Sequence, residues 1–375
     1  MFKQEMIDDF MELTQLEVYS RKERRIADVL KAKLEALGLT VTEDDTGEKI
    51  GGNTGNLFAV LKGDPSIPAI LFSSHMDRVG NNGHIQPQWN KEDGIIYADG
   101  KTILAADDVS GLCCILHALR TVVQEKIPHG DIEVCFSVCE EVGVTGSRYY
   151  DFSKFKSKMA FVFDIPGRIG RIVTQAPGKG KVTITVHGRT AHAGNEPEKG
   201  LNALRIAADL LMHLPDSRQT PETTTNFAMI SAGTATNVVC DKVVLTGEQR
   251  STNPEEYKAI SAKIRDVSAA IANLYHTAID VDILDQYETF HVPDTADPCR
   301  IAYTACQNIG VEPFFSRGGG GMDGNHFNAH GIQTVGIAPG YSKNHTPKEQ
   351  LIVDDFMKCG DEAVEIIKVV ASGEY

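Results

Sequence analysis

Apolar residues Ile26, Val29, Leu30, Leu34 and Leu37 recur with the 3.6-residue period of an amphipathic helix, and Gly38 stops it. With the segment before it, residues 1–37 read as two helices. The pattern then becomes strand-like over 56–61 and 69–73. The second run is continuously apolar, as a strand buried on both faces should be. Residues 109–124 read as a helix, 131–139 as a strand and 160–163 as a short buried strand. This alternation predicts an α/β fold: a mixed, largely parallel sheet with helices on both faces.

Near Pro177 the pattern changes. Strand-like runs at 181–187, 223–232, 242–248 and 279–287 are interleaved with helical runs at 201–214 and 254–275. That β-α-β-β-α-β order is the signature of a ferredoxin-like unit. From about Asp294 the chain returns to helix, glycine loop and strand. The organisation expected is a discontinuous larger domain, 1–176 and 287–375, with a smaller domain inserted at 177–286. A chain of 375 residues is long for one core, which agrees with two domains.

Composition narrows the function classes. Apolar residues make up 42% and charged residues 23%, ordinary for a soluble enzyme. A formal net charge of −14 argues against a nucleic-acid partner, which calls for a basic face. No apolar run approaches the roughly 20 residues of a membrane span, and the first nine residues are too acidic for a signal peptide. Eight cysteines lie mostly in apolar runs without a CxxC pair, which reads as buried free thiols in a reducing compartment. A cytoplasmic protein with no membrane partner is expected.

The chemistry concentrates at predicted strand ends. His75 and Asp77 follow the run 69–73, Glu140-Glu141 follow 131–139, and Asp164 follows 160–163. Asp107-Asp108 stand between a short apolar run and a helix, and His345 sits in the loop Asn344-His345-Thr346-Pro347. In open α/β sheets the carboxyl ends of strands form the ligand crevice. Alone, each signal has an ordinary explanation: a satisfied structural histidine at His75, a helix N-cap at Asp108. Together they form a set of oxygen and nitrogen ligands able to hold divalent ions, with one carboxylate left to move a proton. Asp77 would orient the His75 imidazole. Gly100-Lys101-Thr102 lacks the spacing of a phosphate loop and reads as a hairpin turn. Gly318–Gly321 read as an anion cradle or a flexible turn.

The segments His75-Met76-Asp77, Ala106-Asp107-Asp108-Val109-Ser110-Gly111, Glu140-Glu141-Val142-Gly143, Phe163-Asp164, Ala191-His192-Ala193-Gly194 and His345-Thr346-Pro347 resemble the M20 metallopeptidases in order and spacing. The resemblance spans essentially the whole chain. Residues 233–240 and 247–251 place it nearest the peptidase T-like, tripeptide aminopeptidase-like branch. It implies two divalent metal ions, zinc first, with cobalt or manganese as alternatives. His75 and Asp164 would hold one ion, Glu141 and His345 the other, and Asp107 would bridge them. The Asp107–Asp108 peptide bond would be cis. Glu140 would be the general base. His192, on the inserted lid and dimerisation domain, would donate to the substrate carbonyl oxygen. Arg250 and Asn237, with Gly320 and Gly321 of the glycine loop, would grip the substrate. For Arg250 a structural ion pair with nearby acids is the alternative. Met322 and His326 depart from the usual form of that loop.

The expected activity is a binuclear aminopeptidase acting on short peptides, as a homodimer through the inserted domain. Its nearest rival is an amidohydrolase of N-acyl amino acids, which needs no free substrate amine. A non-catalytic binding protein of the same fold would have lost a ligand or the base, and none is lost.

Overall fold

The computed structural model describes residues 3–80 and 83–375. Met1 and Phe2, at the front of the first predicted helix, lie outside the described residues. The chain forms two compact units, Met1–Ala176 with Phe290–Tyr375, and Pro177–Thr289. Its elements run α1 (Lys3–Thr14), α2 (Arg24–Ala36), β1 (Thr40–Glu43), α3 (Thr46–Ile50), β2 (Leu57–Leu61), β3 (Ile70–His75), β4 (Gln88–Asn90), β5 (Ile95–Tyr97), α4 (Ala106–Glu125), β6 (Ile132–Ser137), β7 (Met159–Val162) and β8 (Arg171–Ala176). The second unit carries β9 (Gly178–His187), α5 (Ala203–His213), β10 (Ser217–Arg218), β11 (Thr223–Ala232), β12 (Lys242–Ser251), α6 (Pro254–Tyr275) and β13 (Ile279–Tyr287). The chain then returns to the first through β14 (Phe290–His291), α7 (Asp297–Asn308), β15 (Phe314–Arg317), α8 (Gly324–Ala329), β16 (Gln333–Ile337), β17 (Tyr341–Ser342), β18 (Gln350–Ile352) and α9 (Val353–Ser372).

In the first unit nine strands form one mixed sheet in the order β1-β2-β6-β3-β7-β16-β8-β14, with β15 beside β8. The centre is parallel: β6, β3, β7 and β16 run the same way. Every residue of β3, β6 and β7 is buried, which explains why they are mostly apolar; the buried Glu133 of β6 accepts from the Lys156 and Ser157 amides. Phe72 of β3 meets Phe161 and Phe163 edge to face. Helices α1, α4, α7 and α9 pack on one another, while α2 lies against β1–β2 and α8 against β16. No described helix is long and apolar enough to cross a membrane.

The register of the central strands gathers the chemistry. His75 pairs with Ser137, so the end of β3 lies beside the end of β6, three residues before Glu140. Ser73 pairs with Val162, and the Phe163 amide donates to the Ser73 carbonyl at 2.9 Å, which leaves Asp164 next to His75. The Asp107–Asp108 peptide bond is cis. Both residues have non-helical backbone angles, so the regular part of α4 starts after Asp108. The N-cap reading of Asp108 holds: its Oδ1 accepts from the Gly111 amide at 3.2 Å. The reading of Gly100-Lys101-Thr102 as a hairpin turn does not hold. The hairpin closes earlier, between β4 and β5, and Asp99 Oδ1 instead accepts from the Lys101 and Thr102 amides at 2.9 and 2.8 Å in a turn leading towards α4.

The second unit has one antiparallel sheet, β10-β11-β12-β9-β13, with α5 and α6 packed against it. Without the two-residue β10 this is the ferredoxin-like order anticipated from the sequence. Val182, Ile184, Leu245, Ile206, Leu210 and Ile264 form its core. Asn202 and Asn253 cap the two helices, with Pro254 in the first turn of α6. The unit ends at Thr289 rather than 286, because β13 stays paired with β9 through Tyr287 and Thr289 Oγ1 donates to the Thr252 carbonyl.

Gly111 is a point of close approach between α4 and the end of β7. A Cβ there would lie 2.2 Å from the Phe163 carbonyl oxygen and 2.6 Å from Asp108 Oδ1. Neither group can retreat without moving a strand end or a capping carboxylate. Gly111→Ala is therefore expected to cost about 1–3 kcal/mol of stability, the usual range for overpacking, read as a lower urea midpoint at unchanged m-value. An unchanged midpoint would show that the helix start can shift freely.

Candidate metal centre

The strand ends and the loops beside them bring four acids, Asp107, Glu140, Glu141 and Asp164, and two imidazoles, His75 and His345, to one crevice of the first unit. Asp107 is at its middle. Its Oδ1 lies 3.1 Å from His75 Nε2, and its Oδ2 lies 3.2 Å from His345 Nε2. Asp164 Oδ1 is 3.6 Å from His75 Nε2, and Glu141 is 3.1 Å from His345 Nε2. Among the described residues, His75, Asp107 and Glu141 offer ligand atoms within 4.8 Å of one another, and so do His75, Glu140 and Asp164. The His75 Nδ1 faces the Asp77 carbonyl at 2.9 Å. A carbonyl only accepts, so Nδ1 carries a proton and Nε2 is the nitrogen turned to the acids. The crevice opens into a cleft of about 330 Å³, which Glu140, Gly320, Gly321, Arg171 and Tyr341 also line.

The loop carrying Glu140 and Glu141 is held by side chains. The Val138 amide donates to Asn56 Oδ1 at 3.0 Å and the Cys139 amide to Glu23 Oε1 at 3.1 Å. The Glu140 and Glu141 amides donate to the two oxygens of Asp77, at 2.9 and 3.3 Å. Ser20 Oγ also donates to Asp77, at 2.6 Å. The Asp77 carboxylate thus serves the loop more than the imidazole: its Oδ1 is 3.4 Å from His75 Nδ1, farther than the backbone carbonyl. Cys139 takes φ +53, so the strand turns sharply just before the paired acids.

Sequence reasoning missed three residues. Glu349 is buried, and its carboxylate accepts from the Leu104, Ala105 and Asp107 amides at 2.8, 2.8 and 3.0 Å. Asn344 Nδ2 donates to Asp107 Oδ2 at 2.8 Å, and the Tyr341 hydroxyl to Asp164 Oδ1 at 3.2 Å. Glu349 left one trace, an acid four residues after His345 in an otherwise polar loop. Asn344 and Tyr341 left none. His326, one of the two departures in the glycine loop, is a core histidine whose Nε2 faces the Val144 carbonyl at 3.0 Å. Burial pulls it down to about 4, so it is neutral. Met322 is also buried.

Charge crowding dominates the electrostatics. Burial, then the neighbouring Asp164 charge, push Glu140 well above the carboxylate range. Burial pushes Asp164 up to about 7 and raises Glu141 as well. Asp107 goes the other way: despite its burial, hydrogen bonds to His345 and His75 hold it below its usual value. Those same bonds from Asp107 and Glu141 lift His345 to about 10. Against the cost of burial, His75 is held well above the imidazole range, chiefly by the Asp164 charge. Acids that refuse to ionise and imidazoles that refuse to lose protons, a few ångströms apart, mark a place built for a cation.

The other residues singled out lie in the second unit. His192 is exposed, and its Nδ1 accepts from the Gly194 and Asn195 amides, both at 3.1 Å. The Asn237 carbonyl accepts from the Ala193 amide at 3.0 Å. Arg250 Nε donates to Glu248 Oε1 at 2.7 Å, and Lys179 pairs with the other oxygen at 3.0 Å.

Comparison with known proteins fixes the family. Residues 174–276 match the family described as a peptidase dimerisation domain of M20 type, and residues 56–192 match peptidase family M28. Aminopeptidase PepT from Bacillus cereus ATCC 10987 is similar over 98% of this chain and 99% of its own, at 37% identity and a TM-score of 0.88. The chain belongs to the M20 peptidases, in the peptidase T-like branch. A tripeptidase from Staphylococcus aureus Mu50 is similar at 31% identity over 99% of each chain, with a TM-score of 0.92. Peptidase T of Geobacillus kaustophilus HTA426 is 27% identical over 98% of both chains. The M20 assignment agrees with the α/β fold, the inserted unit and the acid–imidazole crevice.

The crowding in this M20 peptidase makes a prediction about metal removal. Between about pH 4 and 7 the folded, metal-free chain keeps a proton on Asp164 that the unfolded chain releases, and above about pH 6.5 it does the same on His345. A folded state that binds more protons loses stability as pH rises, through both windows. Bound divalent cations replace those protons, adding about 2.7 kcal/mol for an ion at a hundredfold excess over its Kd. The gap in melting temperature between metal-loaded and chelator-treated protein is expected to widen from about pH 5 to about pH 8. A gap that is constant or narrows with pH would contradict this account of the crevice.

Proposed function

We propose that this M20 peptidase is a two-metal aminopeptidase that hydrolyses short peptides. One observation carries the reading: the Asp107 carboxylate spans two imidazoles, with one oxygen near His75 and the other near His345. In this assignment His75 and Asp164 hold one ion, Glu141 and His345 the other, and Asp107 serves both. Two nitrogens among carboxylate oxygens suit zinc, with cobalt or manganese as the alternatives. Bound there, a pair of divalent ions supplies Lewis acidity, polarising the scissile carbonyl and bringing the pKa of water towards about 7.

The chain's own groups do the rest. Glu140 lines the cleft beside Asp164 and is assigned the proton transfer: its carboxylate would take a proton from the attacking water and pass it to the departing amine. Two amides donate to His192 Nδ1, which leaves Nε2 with the hydrogen; His192 is thereby a donor suited to the oxyanion. Asn237 supports the His192 loop through its carbonyl and is assigned to the substrate with Gly320 and Gly321. Arg250 is the second unit's candidate for the substrate carboxylate, and an anion there would compete with Glu248. The edge of β11 beyond its pairing with β10, where Met229 and Ile230 are exposed, is assigned to a homodimer. Eight cysteines outside disulfides fit a cytoplasmic location.

The test is a panel of two- to four-residue peptides, each with a free and with an acetylated α-amine, assayed on metal-loaded protein. Hydrolysis of the free peptides alone is expected; preferential cleavage of the acetylated series would make the protein an amidohydrolase of N-acyl amino acids. Glu140→Gln should keep its metal content and lose about 10²–10⁴-fold in kcat. Two bound ions with an unchanged kcat would move the proton transfer elsewhere.

A further inference from the structure

Arg171 opens β8 on the rim of the cleft that Asp107, Glu140, Glu141 and Asp164 make acidic. It is the one Lys or Arg among the described lining residues. Its three contacts are all neutral. Nε donates to Ser316 Oγ at 3.0 Å, Nη1 to the Pro166 carbonyl at 2.7 Å and Nη2 to the Arg317 carbonyl at 3.0 Å. No salt bridge to it occurs among the described residues, whereas Arg120, Arg168 and Arg250 each have a carboxylate partner. Burial lowers its pKa below the usual guanidinium value, as expected where no anion compensates.

A guanidinium has five N–H groups, and three are used. The remaining two sit one on each terminal nitrogen, so both terminal nitrogens can still donate to a carboxylate. The three contacts also fix the side chain before any ligand arrives, so little freedom is lost on binding. Arg250 differs on this point, since Glu248 already occupies its Nε. Beside Arg171 the cleft wall is Gly318 to Gly321, with no side chains to fill the space.

We propose that Arg171 receives a carboxylate of the substrate, and that the preferred substrates are therefore short peptides bearing a free carboxylate within the cleft. The proposal rests on the aminopeptidase reading and adds the residue that measures the substrate's far end. The carboxylate can be the C-terminus or an acidic side chain, and the chemistry at Arg171 is the same. The competing explanation is a strut, since Arg171 also ties the segment after Asp164 to the start of the glycine loop.

The experiment uses metal-loaded wild type, Arg171→Gln, Arg171→Lys and Arg250→Ala with three substrates: trialanine, its C-terminal amide, and the amide of a tripeptide ending in glutamate. Wild type should favour trialanine over its amide by about 10–100-fold in kcat/KM, mostly through KM. The glutamate-ended amide recovers the rate if a side-chain carboxylate also serves, and stays slow if only the C-terminus does; either result supports a carboxylate site. Arg171→Gln should erase the preference, and Arg171→Lys should keep part of it. An equal loss on acid and amide in Arg171→Gln makes the residue a strut and overturns the proposal. So does collapse of the preference in Arg250→Ala with retention in Arg171→Gln. If Arg171→Gln fails to fold, the Lys variant and the wild-type ratio decide the matter. Wild type that cleaves peptides without regard to the carboxylate removes this assignment alone. Wild type that cleaves none removes the aminopeptidase reading as well.

Discussion

Negative charge confined to one crevice is the constraint on which the rest of this structure depends. Asp107, Glu140, Glu141 and Asp164 are brought together with little access to water, and among the described residues His75 and His345 stand directly against them, with Arg171 on the rim. Burial of that many ionised carboxylates is unfavourable unless cations neutralise them. The fold therefore has to supply stiffness from elsewhere to keep the acids from relaxing apart. The fully buried parallel strands β3, β6 and β7 are that stiff support, and their register sets which acids become neighbours.

The ends of those strands leave backbone amides unpaired, and side chains accept from them. Four consecutive amides, 138 to 141, donate to Asn56, Glu23 and Asp77, and three amides of 104–107 donate to Glu349. Backbone N–H bonds favour the ionised carboxylate, although burial still lifts Glu23 and Glu349 to about 7. The carboxylates around the site thus divide into two kinds: those spent on the backbone, Asp77, Glu23 and Glu349, and those turned to the crevice. Adjacent acids can take opposite duties, as Asp107 and Asp108 show. Asp108 caps α4 and accepts from Ser74, while Asp107 faces both imidazoles.

This division explains what could be read from the sequence. Acids and histidines following apolar strand runs are visible because strand ends converge in an α/β sheet, and the ferredoxin-like insert is visible because its periods alternate cleanly. The buried supports are not visible. Glu349 and Glu23 look like surface acids in polar segments, and only the folded chain shows them buried against backbone amides. Asn344 and Tyr341 are reached through tertiary contacts that no spacing encodes. Asp77 was expected to orient an imidazole, yet its carboxylate chiefly accepts from the loop amides, a choice set by distances of a few tenths of an ångström. The hairpin was misplaced because two turn-rich stretches flank β5, and only strand pairing says which one closes it.

The loop between β17 and β18 carries two of these features four residues apart. His345, at φ +62, faces Asp107 and Glu141, while Glu349 secures the segment that bears Asp107. One short loop therefore carries both an imidazole of the crevice and the acceptor of three backbone amides. Lifting the loop far enough to withdraw the imidazole would also strip three amides of their acceptor. Movement of the imidazole with its loop is thereby coupled to the backbone at 104–107, whereas rotation of the exposed side chain alone is not.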